Sequence, residues 1–165
     1  LEDQEERTYE ELARKLMADL RSEESVPPQR VAQDLRLPAL RRRAESGKSE
    51  AERLSARRLL AALFVQTSFY LPRQYLERRD ARHASLCAAV AAHVSPERAG
   101  AVWYNFACLQ AQAGDEKGAL ASLSTAVGKG FRDAASMEKD EDLESLRGEE
   151  AFLELLEGLK RGSGP

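Results

Sequence analysis

The stretch Trp103–Ala126, which reads WYNFACLQAQAGDEKGALASLSTA, predicts two amphipathic helices joined by a tight turn. Gly114 falls between them and can adopt the left-handed conformation that ends a helix, while Asp115 can cap the next helix. Small residues stand where the helices approach closely, and large apolar ones fill the space between: Ala107, Ala119, Ala126, Trp103, Phe106, Leu120 and Leu123. We therefore expect a helical hairpin that stacks on others, an arrangement typical of binding scaffolds rather than of enzymes.

Helical periodicity extends over the rest of the chain. Capping boxes at Thr8–Glu11 and Ser49–Glu52 indicate two helix starts, and Pro72 is expected to end or kink a helix. The predicted helices cover residues 8–21, 28–35, 38–44, 50–70, 73–94, 96–113, 115–127, 133–139, 141–147 and 149–160. Since no segment carries a convincing strand pattern, the predicted fold class is all-α.

The composition is that of a soluble globular domain. The 165 residues suit one domain, and the proportions of 42% hydrophobic and 32% charged residues exclude a disordered chain. No apolar run approaches the ~20 residues of a membrane span. The sequence begins at Leu1 with neither Met nor a signal peptide, so we expect a processed or truncated start, and the compartment stays open between cytoplasmic and extracytoplasmic. Cys87 and Cys108 form no CxxC pair and are expected to be small buried hydrophobes.

One set of positions in the opening stretch resembles a single tetratricopeptide repeat. The shared spacing is an aromatic residue, a large-small pair, a glycine turn and a small-large-small pattern on the second helix. The matching positions are Trp103, Phe106, Ala107, Gln110, Gly114, Asp115, Ala119, Leu123 and Ala126. Gln110 departs from the family, which usually has an aromatic residue there. The tail (Gly130–Asp133, Asp140–Arg147 and Phe152–Leu156) resembles the segment that closes many bacterial arrays of such repeats.

This resemblance implies a short right-handed solenoid of stacked antiparallel helical hairpins, forming one domain over residues 1–161. Its expected parts are N-terminal helices or cap, a degenerate repeat, the clear repeat, a C-terminal cap and a disordered tail: residues 1–48, 49–95, 96–130, 131–160 and 162–165. The last repeat leaves an apolar face that a closing element must cover. The residues expected to cover it are Phe131, Leu143, Leu146, Phe152 and Leu156.

The sequence contains none of the common motifs of catalysis, phosphate binding or metal binding: GxGxxG, the P-loop, GxSxG, HExxH and the EF-hand loop are absent. His83 and Cys87, one turn apart, offer two metal ligands without evident further ones. The acidic run Asp140–Asp142 is explained better as a dipole-stabilised helix start than as a cation or acid-base site. The sequence therefore predicts no catalytic residue, no metal site, no cofactor and no enzymatic role.

The net charge of −3 conceals three zones, which carry −5, +7 and −5 over residues 1–25, 26–82 and 83–165. A candidate basic patch lies in the middle zone: Arg41, Arg42, Arg43, Arg57, Arg58 and Arg73. Nucleic-acid interfaces usually interleave such residues with exposed aromatic side chains, and the aromatic residues nearby are predicted to be core, so no nucleic-acid partner is expected. The alternatives are pairing with the acidic zones of the same chain and binding of an acidic protein.

The resemblance also implies where a partner binds. Ligands of this family usually lie against the first helix of each pair, which gives Tyr104, Cys108, Ala111 and Gln112 as candidate contacts with a protein or peptide partner. A carboxylate clamp is not expected, because Tyr104 and Cys108 replace the basic residue and the asparagine that form it. The leading hypothesis is a non-catalytic binding scaffold within a larger bacterial protein. The alternative is a structural homodimer formed through the hairpin of residues 50–94.

Overall fold

The structure is a computed structural model that describes residues 2–162, with side chains from residue 3 onward. All regular elements in this range are helical, which confirms the all-α prediction. In chain order the α-helices are α1 (Glu2–Leu20), α2 (Pro28–Asp34), α3 (Leu37–Ser46), α4 (Glu50–Val65), α5 (Leu71–Glu77), α6 (Ala81–Val94), α7 (Ala99–Gln112), α8 (Glu116–Gly128), α9 (Ala134–Lys139) and α10 (Glu150–Gly162). A π-helical turn (Gln66–Tyr70) joins α4 to α5, and short 3₁₀ helices cover Pro96–Arg98 and Glu141–Leu146. None of these helices within residues 2–162 is both long and apolar enough to span a bilayer.

The predicted tail falls mostly outside the described residues. Gly162 is the last residue of α10, so the expectation of disorder is wrong at that position. The other three residues of the predicted tail, 163–165, lie beyond the range that the structure describes. The division of residues 1–161 into caps and repeats stays a prediction.

Helices α7 and α8 form the hairpin expected from the sequence. Ala107 of α7 and Ala119 of α8 are both fully buried and belong to one apolar cluster. Because both side chains are small, the two helices can approach closely. Gly114 has a φ of +82° at the turn, a conformation that glycine adopts without strain. The carboxylate of Asp115 accepts a hydrogen bond from the Gly118 N–H at 2.9 Å and so caps α8.

Gln110 is buried between the two helices, and both the oxygen and the nitrogen of its side chain form hydrogen bonds there. Its side-chain oxygen accepts a hydrogen bond from the Ser122 hydroxyl, and its amide nitrogen donates to Asp115 at 3.3 Å. A Cβ at Gly118 would lie only 2.5 Å from that amide nitrogen, so the absence of a side chain at this position gives Gln110 its space. A polar bridge across the hairpin therefore replaces the aromatic side chain expected from the resemblance.

Helices α4 and α5 are joined through the π-helical turn without a break, so Pro72 does not end the helix as one of the two expectations had it. Proline lacks an N–H and its ring collides with the carbonyl four residues earlier in a regular α-helix. Here the Leu71 N–H donates to the Gln66 carbonyl, five residues back, which opens a π-helical turn just before Pro72. The extra residue in that turn admits the proline without ending the helix.

The chain reverses six residues later than Pro72, so the predicted helix over 73–94 is also wrong. Helix α5 ends at Glu77, Arg78 is its C-cap, and Arg79 adopts a left-handed φ of +58°. Asp80 then caps α6 by accepting the His83 N–H at 3.1 Å. A non-glycine residue in this conformation has no reliable sequence signature, which is why the turn was missed.

The two predicted capping boxes have different outcomes. Ser49 caps α4 as expected, because its hydroxyl accepts the Glu52 N–H at 3.1 Å. Thr8 caps nothing: α1 already begins at Glu2, and the Thr8 hydroxyl donates to the Gln4 carbonyl at 2.7 Å from within the helix. A threonine inside a helix makes this backward bond when the chain before it is also helical.

Three apolar clusters hold the described helices together. The N-terminal cluster joins α1–α4 with Leu71 of α5 and with α6. The central cluster joins α5, α6 and α7, and the C-terminal cluster joins α7, α8 and the segment that follows. In the last cluster the predicted closing residues Leu143, Leu146 and Phe152 are at most 1% exposed, and Leu156 is buried. Phe131 is half-buried against them. Helix α7 contributes to two of the three clusters and thus connects the two ends of the fold.

Phe106 is the large side chain most completely enclosed in the central cluster, being 1% exposed, whereas Trp103 is only half-buried and meets the Phe106 ring edge-on at 5.8 Å. We expect Phe106→Ala to reduce the free energy of unfolding by about 3–5 kcal/mol, and Trp103→Ala to reduce it by less, because only a buried truncation leaves an unfilled cavity. Urea denaturation of the two variants measures both losses. A larger loss for Trp103→Ala would contradict this arrangement of the core.

Candidate functional site

Three of the four residues predicted to contact a partner are covered by the chain itself. Tyr104, Cys108 and Ala111 are 7–8% exposed, and only Gln112, at the end of α7, reaches solvent. The covering element is the 3₁₀ helix Glu141–Leu146, whose Leu143 and Leu146 pack in the same cluster as Tyr104 and Cys108. This face of α7 is therefore not an open groove, and a role of these four residues in partner binding stays a prediction.

A hydrogen-bonded cluster locks the covering element onto α7. The Tyr104 hydroxyl donates to the Asp140 carboxylate at 2.6 Å, and the Cys108 thiol lies 3.6 Å from the same oxygen. One turn further along α7, the Gln112 amide donates to the Asp142 carboxylate at 2.6 Å. The Asp142 N–H in turn donates to the second Asp140 oxygen at 3.1 Å. Tyr104, Cys108 and Gln112, spaced one turn apart on α7, thus bind the closing segment at Asp140 and Asp142.

Phe131 fixes the orientation of the Tyr104 ring from the other side. The two rings stack at 4.3 Å with planes 7° apart. Gly100 makes this approach possible, since a Cβ there would lie 2.7 Å from the backbone nitrogen of Phe131. Burial and the Asp140 carboxylate both raise the pKa of the Tyr104 hydroxyl, which therefore stays protonated and able to donate.

The same cluster has the composition of a small metal site. One ligand atom each from Cys108, Asp140 and Asp142 lies within 4.8 Å of the others. Burial, followed by the charge of Asp140, raises the pKa of the Cys108 thiol to about 12, so that in the absence of a cation the thiol stays protonated. The carboxylate oxygens also already accept bonds from Tyr104 and Gln112. This donor chemistry suits a structural lock better than a cation site.

Residues of the predicted basic patch mostly bind acceptors within the chain. Arg43 pairs with Glu52 at 3.3 Å, Arg58 with Glu5 at 3.5 Å and Arg73 with Glu77 at 3.4 Å. Two further guanidinium groups donate to backbone carbonyls, Arg41 to that of His93 and Arg57 to that of Ala44. Arg42 is exposed. Among these ion pairs only Arg58–Glu5 joins the basic zone to an acidic zone of the chain, and binding of an acidic protein stays a prediction.

A groove that the sequence did not reveal runs between α8 and α10. Its volume is about 690 Å³, and it is lined by Leu120, Ala121, Ser124, Val127, Arg132, Ala151, Glu154, Leu155, Gly158, Leu159 and Gly162. The inner face of α8 carries the fully buried Ala119, Leu123 and Ala126, while Leu120 and Val127 remain half-buried on its outer side. Leu120 and Val127 are seven residues apart, which places both on a second apolar face of α8. This spacing is the feature of the sequence that indicates the groove.

The comparisons with known proteins bear on this C-terminal part. A family model described as "A/B hydrolase-like, N-terminal domain" matches residues 72–162, more than half of the chain. The chain belongs to this family. Searches of curated proteins and of solved structures found no match. The matched range begins at the second residue of α5 and ends at the last residue of α10, so it contains the hairpin, the closing segment and the groove.

This family membership corrects two predictions. The resemblance to a tetratricopeptide repeat is wrong as a statement of family, because one hydrolase-like domain spans the supposed repeat, its closing segment and part of the preceding unit. The residues that carried the resemblance encode close packing of two helices, which unrelated hairpins share. The prediction of no enzymatic role is also wrong, since the family is one of hydrolytic enzymes.

The Tyr104–Asp140 hydrogen bond gives a test of the lock. Tyr104→Phe leaves a partly buried carboxylate oxygen without its closest donor, so we expect the free energy of unfolding to fall by about 1–2 kcal/mol. The matched control is Tyr70→Phe, because Tyr70 is 49% exposed and its hydroxyl has access to water. Thermal and urea unfolding should separate the two variants. Equal stability of both would show that the lock contributes nothing.

Proposed function

We propose that this chain acts as the helical N-terminal domain of an α/β-hydrolase-like enzyme and binds the catalytic portion in the groove between α8 and α10. The supporting observation is that the family match over residues 72–162 includes both walls of this groove. The expectation of a protein-binding helical domain is retained, and the proposed partner is the catalytic portion of the enzyme. The helical hairpins provide a rigid support for the groove.

The lining of the groove supports a protein occupant. Leu120, Val127 and Leu155 form half-buried apolar walls, a surface that a few aliphatic or aromatic side chains of another segment fill well. Polar groups stand at the rim, where Arg132 is held in place by donating to the Val127 carbonyl at 2.8 Å. Glu154 supplies a charge of opposite sign on the facing helix. An apolar floor with a polar rim is the usual anatomy of a protein interface.

The position of the groove supports an occupant from the same polypeptide. Gly162, the last residue of α10, lies in the wall of the groove. A catalytic portion joined after α10 therefore begins beside this surface, and the short connection gives it a high effective concentration there. Binding then needs no large interface area to be stable.

Protection of a cysteine placed in the groove tests this proposal. Ala121→Cys puts a thiol on the exposed wall, while the native Cys87 and Cys108 react slowly because both are buried and burial raises the pKa of each thiol to about 12. We expect the rate of modification in the 165-residue chain to fall by about tenfold or more when the hydrolase portion is present.

The control is Ala135→Cys on α9, which is exposed and outside the groove, and whose rate should not change. Equal rates for Ala121→Cys with and without the hydrolase portion would contradict the proposal. Protection by a small ester substrate in the chain alone would instead assign the groove to substrate binding.

A further inference from the structure

The rod of α4, the π-helical turn and α5 carries an apolar face that no other described element covers. Among residues 3–162, five large hydrophobic side chains are exposed, and four of them lie on this rod: Leu54 (45%), Val65 (45%), Phe69 (43%) and Tyr70 (49%). The Phe69 and Tyr70 rings meet edge-to-face at 5.1 Å. Apolar side chains gathered on one surface, rather than scattered singly, indicate an interaction site.

The π-helical turn changes which residues of the rod share one side. Leu54, Ala61 and Val65 recur at intervals of one or two turns and share one side of α4. In an uninterrupted α-helix the residues that follow would drift around the axis, since each residue advances by about 100°. The extra residue in the turn Gln66–Tyr70 rotates the rod back, so that Phe69 and Arg73 return to the side of Val65.

Counted from the two ends of this face, Glu50 matches Arg73 and Leu54 matches Phe69, whereas Val65 matches Arg58. Glu50 and Arg73, both exposed, stand at its two ends with opposite charges. Large apolar residues follow inward from each end, Leu54 on one side and Phe69 on the other. The small Ala61 lies at the middle, two turns from each of them. We define the exposed face by Glu50, Leu54, Ala61, Val65, Phe69 and Arg73.

We propose that this exposed face binds the same face of a second copy of the chain, with the two rods antiparallel and the two-fold axis at Ala61. A two-fold pair buries the same patch of both copies, and an alanine on the axis lets the helices approach closely. Leu54 of each copy then packs against Phe69 of the other. Glu50 of each copy meets Arg73 of the other, which gives two ion pairs related by symmetry.

The charges on the rod favour a second copy over other occupants. A parallel pair would place Glu50 beside Glu50, whereas the antiparallel pair joins unlike charges at both ends. Arg58, on the edge of the face, already pairs with Glu5 at 3.5 Å, so the face does not present the uniform positive charge that an anionic surface would select. Arg73 contacts Glu77 at 3.4 Å, yet its five N–H donors can also serve a second carboxylate.

The geometry also sets the strength of the pair. The face from Glu50 to Arg73 is about 35 Å long at the rise of an α-helix, but it is only one helix wide. Such an area lies below that of a standard interface, so we expect a micromolar, reversible dimer rather than an obligate one. This inference uses a different surface from the groove between α8 and α10, and either proposal can fail without the other.

Sedimentation equilibrium of the full chain tests the charge pairing. The expected result is a concentration-dependent dimer of twice the 18.3 kDa monomer mass. Glu50→Arg and Arg73→Glu should each raise the dissociation constant by about tenfold, and the double variant should restore it, because the pair is then rebuilt with its charges exchanged. Leu153→Glu on α10 is the matched control, since Leu153 is equally exposed (47%) and lies off this face. A monomer at the highest soluble concentration, or a dimer that the single variants do not weaken, would overturn the proposal.

Cross-linking tests the position of the two-fold axis. In Ala61→Cys the two introduced thiols face each other across the axis, so air oxidation should give a disulfide-linked dimer. Ala135→Cys, exposed on α9, should stay monomeric under the same conditions. The native Cys87 and Cys108 are buried and supply little background. A dimer in solution that links no faster through Ala61→Cys than through Ala135→Cys would also overturn the proposed geometry.

Discussion

The close contact of α7 with α8 is the constraint on which the rest of the described structure depends. Ala107, Ala119 and Ala126 are fully buried, and only side chains this small let the two helices meet along their length. α7 then has two further faces, one packed on α5 and α6 through Phe106 and the other locked to the closing segment through Tyr104. Widening the hairpin would displace both at once, since a close-packed core has no slack to absorb the change.

The two surfaces proposed to bind partners are helix faces that this packing does not bury. The inner face of α8 is used by α7, which leaves Leu120 and Val127 to form the wall of the groove with α10. The rod of α4 and α5 uses Leu59, Leu63 and Leu76 for the core and turns its opposite side outward. In both cases a helix with more apolar surface than the domain can bury presents the remainder to a partner.

Local features of the structure were predictable, and features that depend on distant residues were not. The roles of Gly114, Asp115 and the alanines of the hairpin depend on residues only a few positions away, so the sequence predicts the hairpin. The bond between Tyr104 and Asp140 joins positions 36 residues apart, and nothing near either residue indicates it. The family was misassigned for the same reason: the spacing of Trp103, Phe106 and Gly114 describes how two helices pack, which is common to many helical domains.

Native-state hydrogen exchange of the backbone amides tests the central role of the hairpin most directly. If α7 and α8 are the element that the rest requires, their interior amides exchange only through global unfolding and are the slowest in the chain. The amides of α1, whose buried leucines all belong to the N-terminal cluster, should exchange faster through local opening. Amides of α7 and α8 that exchange as fast as those of α1, while another helix stays protected, would contradict the account.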